Sequence, residues 1–272
     1  MSKSFSKKFS NLRFKNKNPL SYKVLKRKPP FNYIKKHEPY FPTLMEGIVA
    51  FLQELNLATA ISENFFKEEL DSFIEEAEIN SSVVVELRIK NLIIKETYNI
   101  YNLGLDNFFE FRGEILEFLV VNLEKEKTNK IYHEPIFNHK RTKLIQHQFS
   151  GEGCLVDVVN VHTKGLEITL IECKATLDNN ILALKNGNPK SKKGISFLNK
   201  ITYMDTVYNI IKDYEYEENE KIKVTKVFAS LKDPKRDLPL QYQNFKIVNV
   251  LTLLQDKIDK GNFKFHEDLI NA

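Results

Sequence analysis

The stretch LVDVVNVHTKGLEITLIECKA, residues 155–175, decides the fold of this chain. Apolar and polar side chains alternate on both sides of Lys164-Gly165, and a period of two is typical of β-strands. Glycine accepts the positive φ that a two-residue hairpin turn requires, so Lys164-Gly165 is the predicted turn. The segment is therefore predicted to be a β-hairpin with strands over 155–161 and 167–175.

The predicted turn fixes which residues face each other across the hairpin. Paired residue numbers sum to 329, which places Asp157 opposite Glu172. Directly opposite residues project from the same face of a sheet, and so do residues two apart in one strand. Asp157, Glu172 and Lys174 are therefore predicted to project together, while Cys173 takes the other face.

Two carboxylates on neighbouring strands repel each other and are costly to bury among apolar side chains. A cation between them would compensate, and oxygen ligands favour Mg²⁺, for which Mn²⁺ can substitute. Such an ion can activate water and neutralise charge on a phosphodiester, while Lys174 would orient the water or stabilise the phosphate. The alternative is a solvated Asp–Lys–Glu cluster on an edge hairpin. The apolar residues that flank Asp157 and Glu172 favour the functional interpretation.

Hydrophobic periodicity predicts the elements on either side of the hairpin. In chain order they are a helix from residue 43, a helix over 63–77 capped by Ser62, a mostly helical segment over 83–101, a helix over 107–125, strands over 130–137 and 142–149, a helix over 191–213, strands over 221–231 and 245–250, and a helix over 251–260. The strands over 130–137 and 142–149 are expected to join the hairpin in one antiparallel meander.

This order of elements, with Asp157 and Glu172-Cys173-Lys174 on the hairpin, resembles the PD-(D/E)xK nuclease superfamily, which includes many restriction endonucleases, RecB-like nucleases and Holliday-junction resolvases. The resemblance implies an α+β fold whose restriction-endonuclease-like core runs helix, three-stranded antiparallel meander, helix, strand. Asp157 matches the family's metal-binding aspartate and residues 172–174 match its (D/E)xK triplet, although Val156 stands in place of the motif's proline. The resemblance covers residues 107–231.

Many members of the family also place a glutamate on the helix before the meander. The stretch Arg112-Gly113-Glu114-Ile115-Leu116-Glu117 offers Glu117 as a third metal ligand. Glu114 is the rival, because residues three apart lie on neighbouring parts of one helix face. The resemblance implies that one of the two joins the catalytic site, and the alternative is that both are solvated helix charges.

The formal net charge of +5 conceals an uneven distribution. Residues 1–40 contain twelve Lys or Arg and one acid, whereas the rest of the chain contains 29 bases and 35 acids. Lys26, Arg27 and Lys28 could bind nucleic-acid phosphates, and the equally favoured alternative is a disordered solubilising tail. The predicted division is therefore a basic leader over 1–40, a helical subdomain over 41–106 and a nuclease domain over 107–272.

A second basic segment follows the Glu-x-Lys triplet. Lys190, Lys192 and Lys193 lead into the next helix and could cross a duplex backbone beside the site, or form a solvated surface loop. On that helix, Asn199, Lys200 and Tyr203 could face the site, as helix residues after the triplet do in some members of the family that the chain resembles, but ordinary amphipathic packing is the preferred interpretation.

Several function classes are excluded by composition. Two cysteines cannot form a disulfide framework or a four-ligand zinc site, and no apolar run approaches the roughly 20 residues of a membrane span. The sparse glycines form no phosphate-binding loop, so ATP hydrolysis by this chain is not expected. No secretory signal is recognisable, and a cytoplasmic protein is expected.

The resemblance implies a Mg²⁺-dependent deoxyribonuclease that hydrolyses DNA phosphodiester bonds in restriction or antiphage defence. It also implies partners: DNA, a helicase, ATPase or other defence-system protein, and a second copy of the chain, but no membrane. The alternative is a non-catalytic nucleic-acid-binding or assembly subunit with the nuclease fold, regulated by a partner protein that docks on the acidic helix over 63–77.

Overall fold

The structure is a computed structural model that describes residues 12–16, 37–55, 61–125, 129–139, 142–143, 156–162, 167–185, 192–218 and 221–262. Its helices are α1 (Phe41–Glu54), α2 (Glu63–Ser81), α3 (Leu87–Asn102), α4 (Leu105–Glu124), α5 (Asp178–Lys185), α6 (Lys192–Glu218) and α7 (Val250–Asp259). Its strands are β1 (Leu12–Asn16), β2 (Asn129–His133), β3 (Pro135–His139), β4 (Thr142–Lys143), β5 (Val158–His162), β6 (Glu167–Cys173), β7 (Lys223–Ser230) and β8 (Phe245–Asn249). The described part is thus a mixed α+β protein, as the sequence predicts at this level, and it has seven helices where the sequence predicts six. Of those helices, none is both long enough and apolar enough to cross a membrane.

The chain forms two compact units. The sheet unit comprises Met1–Leu20 and Glu124–Val248, and the helical unit comprises Ser21–Leu123 and Asn249–Ala272. These units divide the chain differently from the predicted domains, because α4 and α7 are compact with α1 to α3. Contact-defined units need not coincide with independently folding domains. The predicted boundaries at 40/41 and 106/107 therefore stay predictions.

The helical unit is built from amphipathic segments whose apolar stripes meet. The predicted cap of α2 is confirmed, since the Ser62 hydroxyl accepts a hydrogen bond from the Phe65 amide at 3.3 Å. Helices α1 and α2 approach closely at Gly47, where an added Cβ would lie 2.7 Å from the Ile74 Cα. A larger residue at position 47 would force these two helices apart.

The sheet unit contains two separate sheets. One has the strand order β2-β5-β6-β7-β8, with β2, β5 and β6 antiparallel and β7 parallel to β6. The other is a small antiparallel sheet in the order β1-β3-β4. Strands β2, β5 and β6 are therefore antiparallel neighbours in one sheet, but the expectation that all four predicted strands share one meander is wrong.

Glu134 and Pro135 explain why the predicted strand over 130–137 is split between the two sheets. Glu134 has a left-handed φ of 40°, which breaks the extended backbone after β2. Pro135 lacks an amide hydrogen and cannot continue the ladder as a donor. The chain therefore leaves the five-stranded sheet at this point and enters the small one as β3.

The predicted register of the hairpin is confirmed. Val158 lies opposite Ile171 and His162 lies opposite Glu167, so paired residue numbers sum to 329. The predicted turn at Lys164-Gly165 lies outside the described residues, as does the part of the predicted strand over 142–149 that follows Lys143.

One hydrophobic cluster joins α6 to the five-stranded sheet. It contains alternate residues of the strands and residues of α6 at helical spacing: Val159, Val161, Ile168, Leu170, Phe197, Ile201, Met204, Val207 and Ile211. Asp157 and Glu172 continue the same alternation beyond Val159 and Leu170. Their side chains therefore project from the face of the sheet that α6 covers.

Two elements were not predicted. Strand β1 lies within the segment interpreted as a basic leader, and it pairs with β3 over the full five residues. Helix α5 lies in the segment interpreted as a loop after the triplet, and it contributes the buried Ile181 and Leu184 to the core. Both are short elements whose stability comes from tertiary contacts rather than from local sequence.

Candidate metal and catalytic site

Asp157 and Glu172 lie at the end of the β5–β6 ladder. Asp157 directly precedes β5, and Glu172 lies in β6 one residue beyond its last pair with β5. Strand β6 is flanked by β5 on one side and β7 on the other, where Glu172 pairs with Phe228. Both residues are buried at this end of the sheet: Asp157 is 5% exposed and Glu172 is 0% exposed.

The Asp157 side chain is fixed by the backbone of the neighbouring strand. Its Oδ2 accepts a hydrogen bond from the Cys173 amide at 2.7 Å, while its own carbonyl oxygen accepts one from the Glu134 amide at 2.8 Å. Burial alone would raise the pKa of Asp157, but Lys200 and Lys174, together with the Cys173 amide, hold the net pKa below its ordinary value. Asp157 is therefore a rigidly oriented anion.

Glu172 is the fully buried member of the site. Its Oε1 is paired with the ammonium groups of both Lys174 and Lys200, whereas its Oε2 is buried with no hydrogen-bond partner among the described residues. The pKa of Glu172 is raised to about 7, chiefly because burial disfavours the charged form and also because Asp157 lies nearby. Lys174 and Lys200 act in the opposite direction. One carboxylate oxygen is thus left for a further ligand.

Lys174 is held at the edge of the site by contacts at both ends. Its amide donates to the Ala229 carbonyl at 2.9 Å, and its ammonium donates to the Cys173 carbonyl at 3.1 Å and to Glu172. Burial would lower the pKa of Lys174, but Glu172 and Asp157 raise it above the ordinary value. The Lys174 side chain is 28% exposed, whereas the Glu172 side chain is fully buried.

Lys200 bridges the two carboxylates, although the sequence interpretation preferred ordinary amphipathic packing to a position that faces the site. Its Nζ lies 2.8 Å from Asp157 Oδ1 and 2.8 Å from Glu172 Oε1. Burial would lower the pKa of Lys200, but Glu172 and Asp157 raise it well above the ordinary value. The interpretation of Lys200 as ordinary amphipathic packing is therefore wrong, because this residue completes the site.

A signal for Lys200 was present in the sequence. Lys200 lies three residues after Phe197 and four before Met204, both buried in the core cluster. These intervals place it on the stripe of α6 that packs on the sheet. A lysine on such a stripe must reach a buried acid or solvent, and Asp157 and Glu172 were the predicted acids on that face.

The carboxylates of Asp157 and Glu172 form a donor set that fits a divalent cation. Two carboxylates with an unpaired buried oxygen on Glu172 suit Mg²⁺, which is commonly bound through one or two carboxylates and keeps several waters. Within the described ranges, no group of three or more His, Cys, Asp or Glu side chains is arranged to hold a metal ion. The residues present thus fit a sparse Mg²⁺ site rather than an all-protein cage.

The roles of the other predicted site residues stay predictions. Glu114 and Glu117 are half-buried residues of α4, which belongs to the helical unit up to Leu123, so a metal-binding role for either stays a prediction. The predicted phosphate contacts Lys26, Arg27, Lys28 and Lys190 lie outside the described residues, and Lys192 and Lys193 are described only as the backbone that begins α6.

Comparison of the chain with protein-family models, with curated proteins and with solved structures finds no match.

Proposed function

We propose that this chain is a Mg²⁺-dependent nuclease that hydrolyses DNA phosphodiester bonds, with Asp157 and Glu172 as metal ligands and Lys174 as the catalytic cation. The observation that supports it most strongly is the convergence of two buried carboxylates and two lysines at the end of one β-ladder. Burying two neighbouring carboxylates costs folding free energy, and such arrangements occur where charge is needed for chemistry. Its placement in restriction or antiphage defence, beside a helicase or other ATPase, follows from the sequence resemblance.

The order of elements supports the same proposal. Helix α4 precedes the antiparallel strands β2, β5 and β6, after which α6 leads to β7 parallel to β6. This is the order that the restriction-endonuclease-like core implies. Asp157 directly precedes β5 and Glu172 lies in β6, and these two strands pair in the register that the proposal requires.

The protein groups have separate roles in the proposed reaction. A bound divalent cation would supply an activated water and neutralise charge on the scissile phosphate. Asp157, oriented by the Cys173 amide, and Glu172, with its unpaired Oε2, would hold that cation. Lys174 has a partly exposed side chain, and its ammonium would donate to the attacking water or to the phosphate oxygens.

One observation favours a second candidate, the non-catalytic nucleic-acid-binding or assembly subunit. Lys174 and Lys200 already supply two positive charges to the two carboxylates, so the cluster is neutralised by the chain's own side chains. A self-neutralised network can persist as a purely structural feature. In that case the protein binds nucleic acid but leaves it intact.

The experiment is cleavage of supercoiled plasmid DNA and of a structured RNA, with Mg²⁺ or with EDTA. Asp157→Asn and Lys174→Met are compared with the control Asp205→Asn. Asp205 is a carboxylate of α6 that pairs with Lys226 of β7. We expect Mg²⁺-dependent cleavage by wild type and Asp205→Asn, and loss of at least about 10²-fold in the other two variants. Binding without cleavage by wild type, with its partner present, would select the second candidate.

A further inference from the structure

The Lys200 ammonium lies between the two carboxylates proposed to bind metal. Its Nζ is equidistant, at 2.8 Å, from Asp157 Oδ1 and Glu172 Oε1. A divalent cation coordinated by the same two oxygens would lie about 2.0–2.1 Å from each of them. An ammonium and a divalent cation cannot share that position, because their charges repel at such short range.

We propose that Lys200 is an internal counter-cation of the metal-free site and that a divalent cation must displace its ammonium from between Asp157 and Glu172. The inference rests on the proposed metal site and specifies how that site is regulated. Metal loading is then a competition between the divalent cation and a side chain of the same protein.

Lys174 does not share this role. Its ammonium contacts Glu172 and the Cys173 carbonyl, whereas only Lys200 joins the two carboxylates. Removal of Lys174 would leave the position between Asp157 and Glu172 occupied. Lys200 is thus the group whose departure opens the site.

The surroundings of Lys200 allow such a displacement. Its side chain is 14% exposed and carries a flexible four-carbon stem, so the ammonium can move to solvent without unfolding α6. Glu172 Oε2, which accepts no hydrogen bond from the described residues, gives the incoming cation a ligand atom that Lys200 does not use. The exchange therefore replaces two hydrogen bonds by stronger coordination at the same carboxylates.

Lys226 provides a matched control on the same face of the same sheet. It is buried, it pairs with Asp205 of α6, and its ammonium lies 4.2 Å from the centre of the Phe245 ring. The structure gives it no contact with Asp157 or Glu172 within the described part of the chain. Removing Lys226 also deletes a buried positive charge, but it leaves the Lys200 ammonium between Asp157 and Glu172.

The experiment is a Mn²⁺ titration of the full chain, followed through the electron paramagnetic resonance signal of free Mn²⁺. We expect Lys200→Met to bind Mn²⁺ at least about tenfold more tightly than wild type, and Lys226→Met to bind it as wild type does. Lys200→Gln, which keeps a polar head, carries the same expectation. Each variant is also prepared with Mn²⁺ present, and a Lys200 variant that folds only with Mn²⁺ agrees with the proposal.

Two results would overturn the inference in distinguishable ways. Mn²⁺ binding by Lys200→Met and Lys200→Gln that is equal to or weaker than wild-type binding contradicts the displacement alone, and the proposed metal site stands. Absence of Mn²⁺ binding to wild type and to both variants contradicts the displacement and the proposed metal site together.

Discussion

Each unit of the molecule contains a lysine–carboxylate cluster, and the two clusters bury opposite members. In the helical unit the Lys90 side chain is 8% exposed, while its partners Asp71 and Glu75 are 39% and 59% exposed. In the sheet unit the carboxylates of Asp157 and Glu172 are buried, and the lysines reach them from more exposed positions. The same residue types thus form two different electrostatic environments.

The difference indicates which cluster is built for chemistry. The buried Lys90 contacts two exposed acids, Asp71 and Glu75, and a third, Glu78, that is 12% exposed, so most of its counter-charge comes from the protein surface. Burial raises the pKa of Glu172, the neighbouring Asp157 raises it further, and the two buried carboxylates offer oxygen ligands in a pre-formed position. This difference supports the proposed metal site in the sheet unit and favours a structural role for the Lys90 cluster.

The largest expected effect is on metal affinity. Glu172→Gln should weaken Mn²⁺ binding by about 100-fold or more, because it replaces a buried anionic ligand by a neutral one. Glu78→Gln, which alters an acid that contacts Lys90 at 3.5 Å, should leave Mn²⁺ affinity unchanged. Calorimetric titration of both variants measures the difference, and equal affinities would break the comparison.

The second effect is on stability. Lys200→Met should lower the free energy of unfolding of the metal-free protein by about 3 kcal/mol, because it strands buried carboxylates. Lys90→Met should cost about 1 kcal/mol, because its partners Asp71 and Glu75 are solvated and screened. Urea unfolding at low and high NaCl concentration distinguishes the two losses in the free energy of unfolding. Only the Lys90→Met loss should shrink with salt, and a salt-sensitive Lys200→Met loss would contradict this account.

The third effect is pH dependence of the metal-free protein. Because the pKa of Glu172 is raised to about 7, its contribution to stability is fully present below the unfolded value near 4.5 and is lost as the pH rises through about 7. The lowered pKa of Asp157 acts oppositely, since that contribution is lost as the pH falls below the ordinary range.

We therefore expect the free energy of unfolding to fall between about pH 5 and 8, by at most ~1.4 kcal/mol per pH unit. Glu172→Gln should abolish that fall. Urea unfolding followed by circular dichroism across this range provides the measurement. An unchanged slope in Glu172→Gln would assign the dependence to other groups.

The smallest expected effect concerns backbone strain. Among the described residues, each unit has one non-glycine residue with a positive φ. Ser82 ends α2 with a φ of 54°, and Glu134 precedes β3 with a φ of 40°. Glycine at either position should raise stability by about 0.5 kcal/mol, the strain relieved being partly offset by chain entropy. Thermal unfolding tests both variants. A loss of stability in Glu134→Gly alone would show that its side chain supports the Asp157 segment.

The hairpin and its carboxylates were predictable from sequence because both depend on local rules. Alternation places Asp157 and Glu172 on one face, and the turn predicted at Lys164-Gly165 gives the register that the structure shows for the two strands. The position of Lys200 depends on how α6 rotates over the sheet, which the packing of Phe197, Ile201 and Met204 decides. Strand β1 was missed for a similar reason, since its pairing partner β3 lies more than a hundred residues away.

The central claim is that Asp157 and Glu172 together bind a divalent cation. The most direct measurement is an anomalous difference map from crystals of the protein soaked with Mn²⁺. A peak within about 2.0–2.3 Å of oxygens from both carboxylates, with the Lys200 ammonium moved from between them, is the predicted result. Crystals in which Lys200 still bridges Asp157 and Glu172 at saturating Mn²⁺, with no peak at either carboxylate, would contradict it.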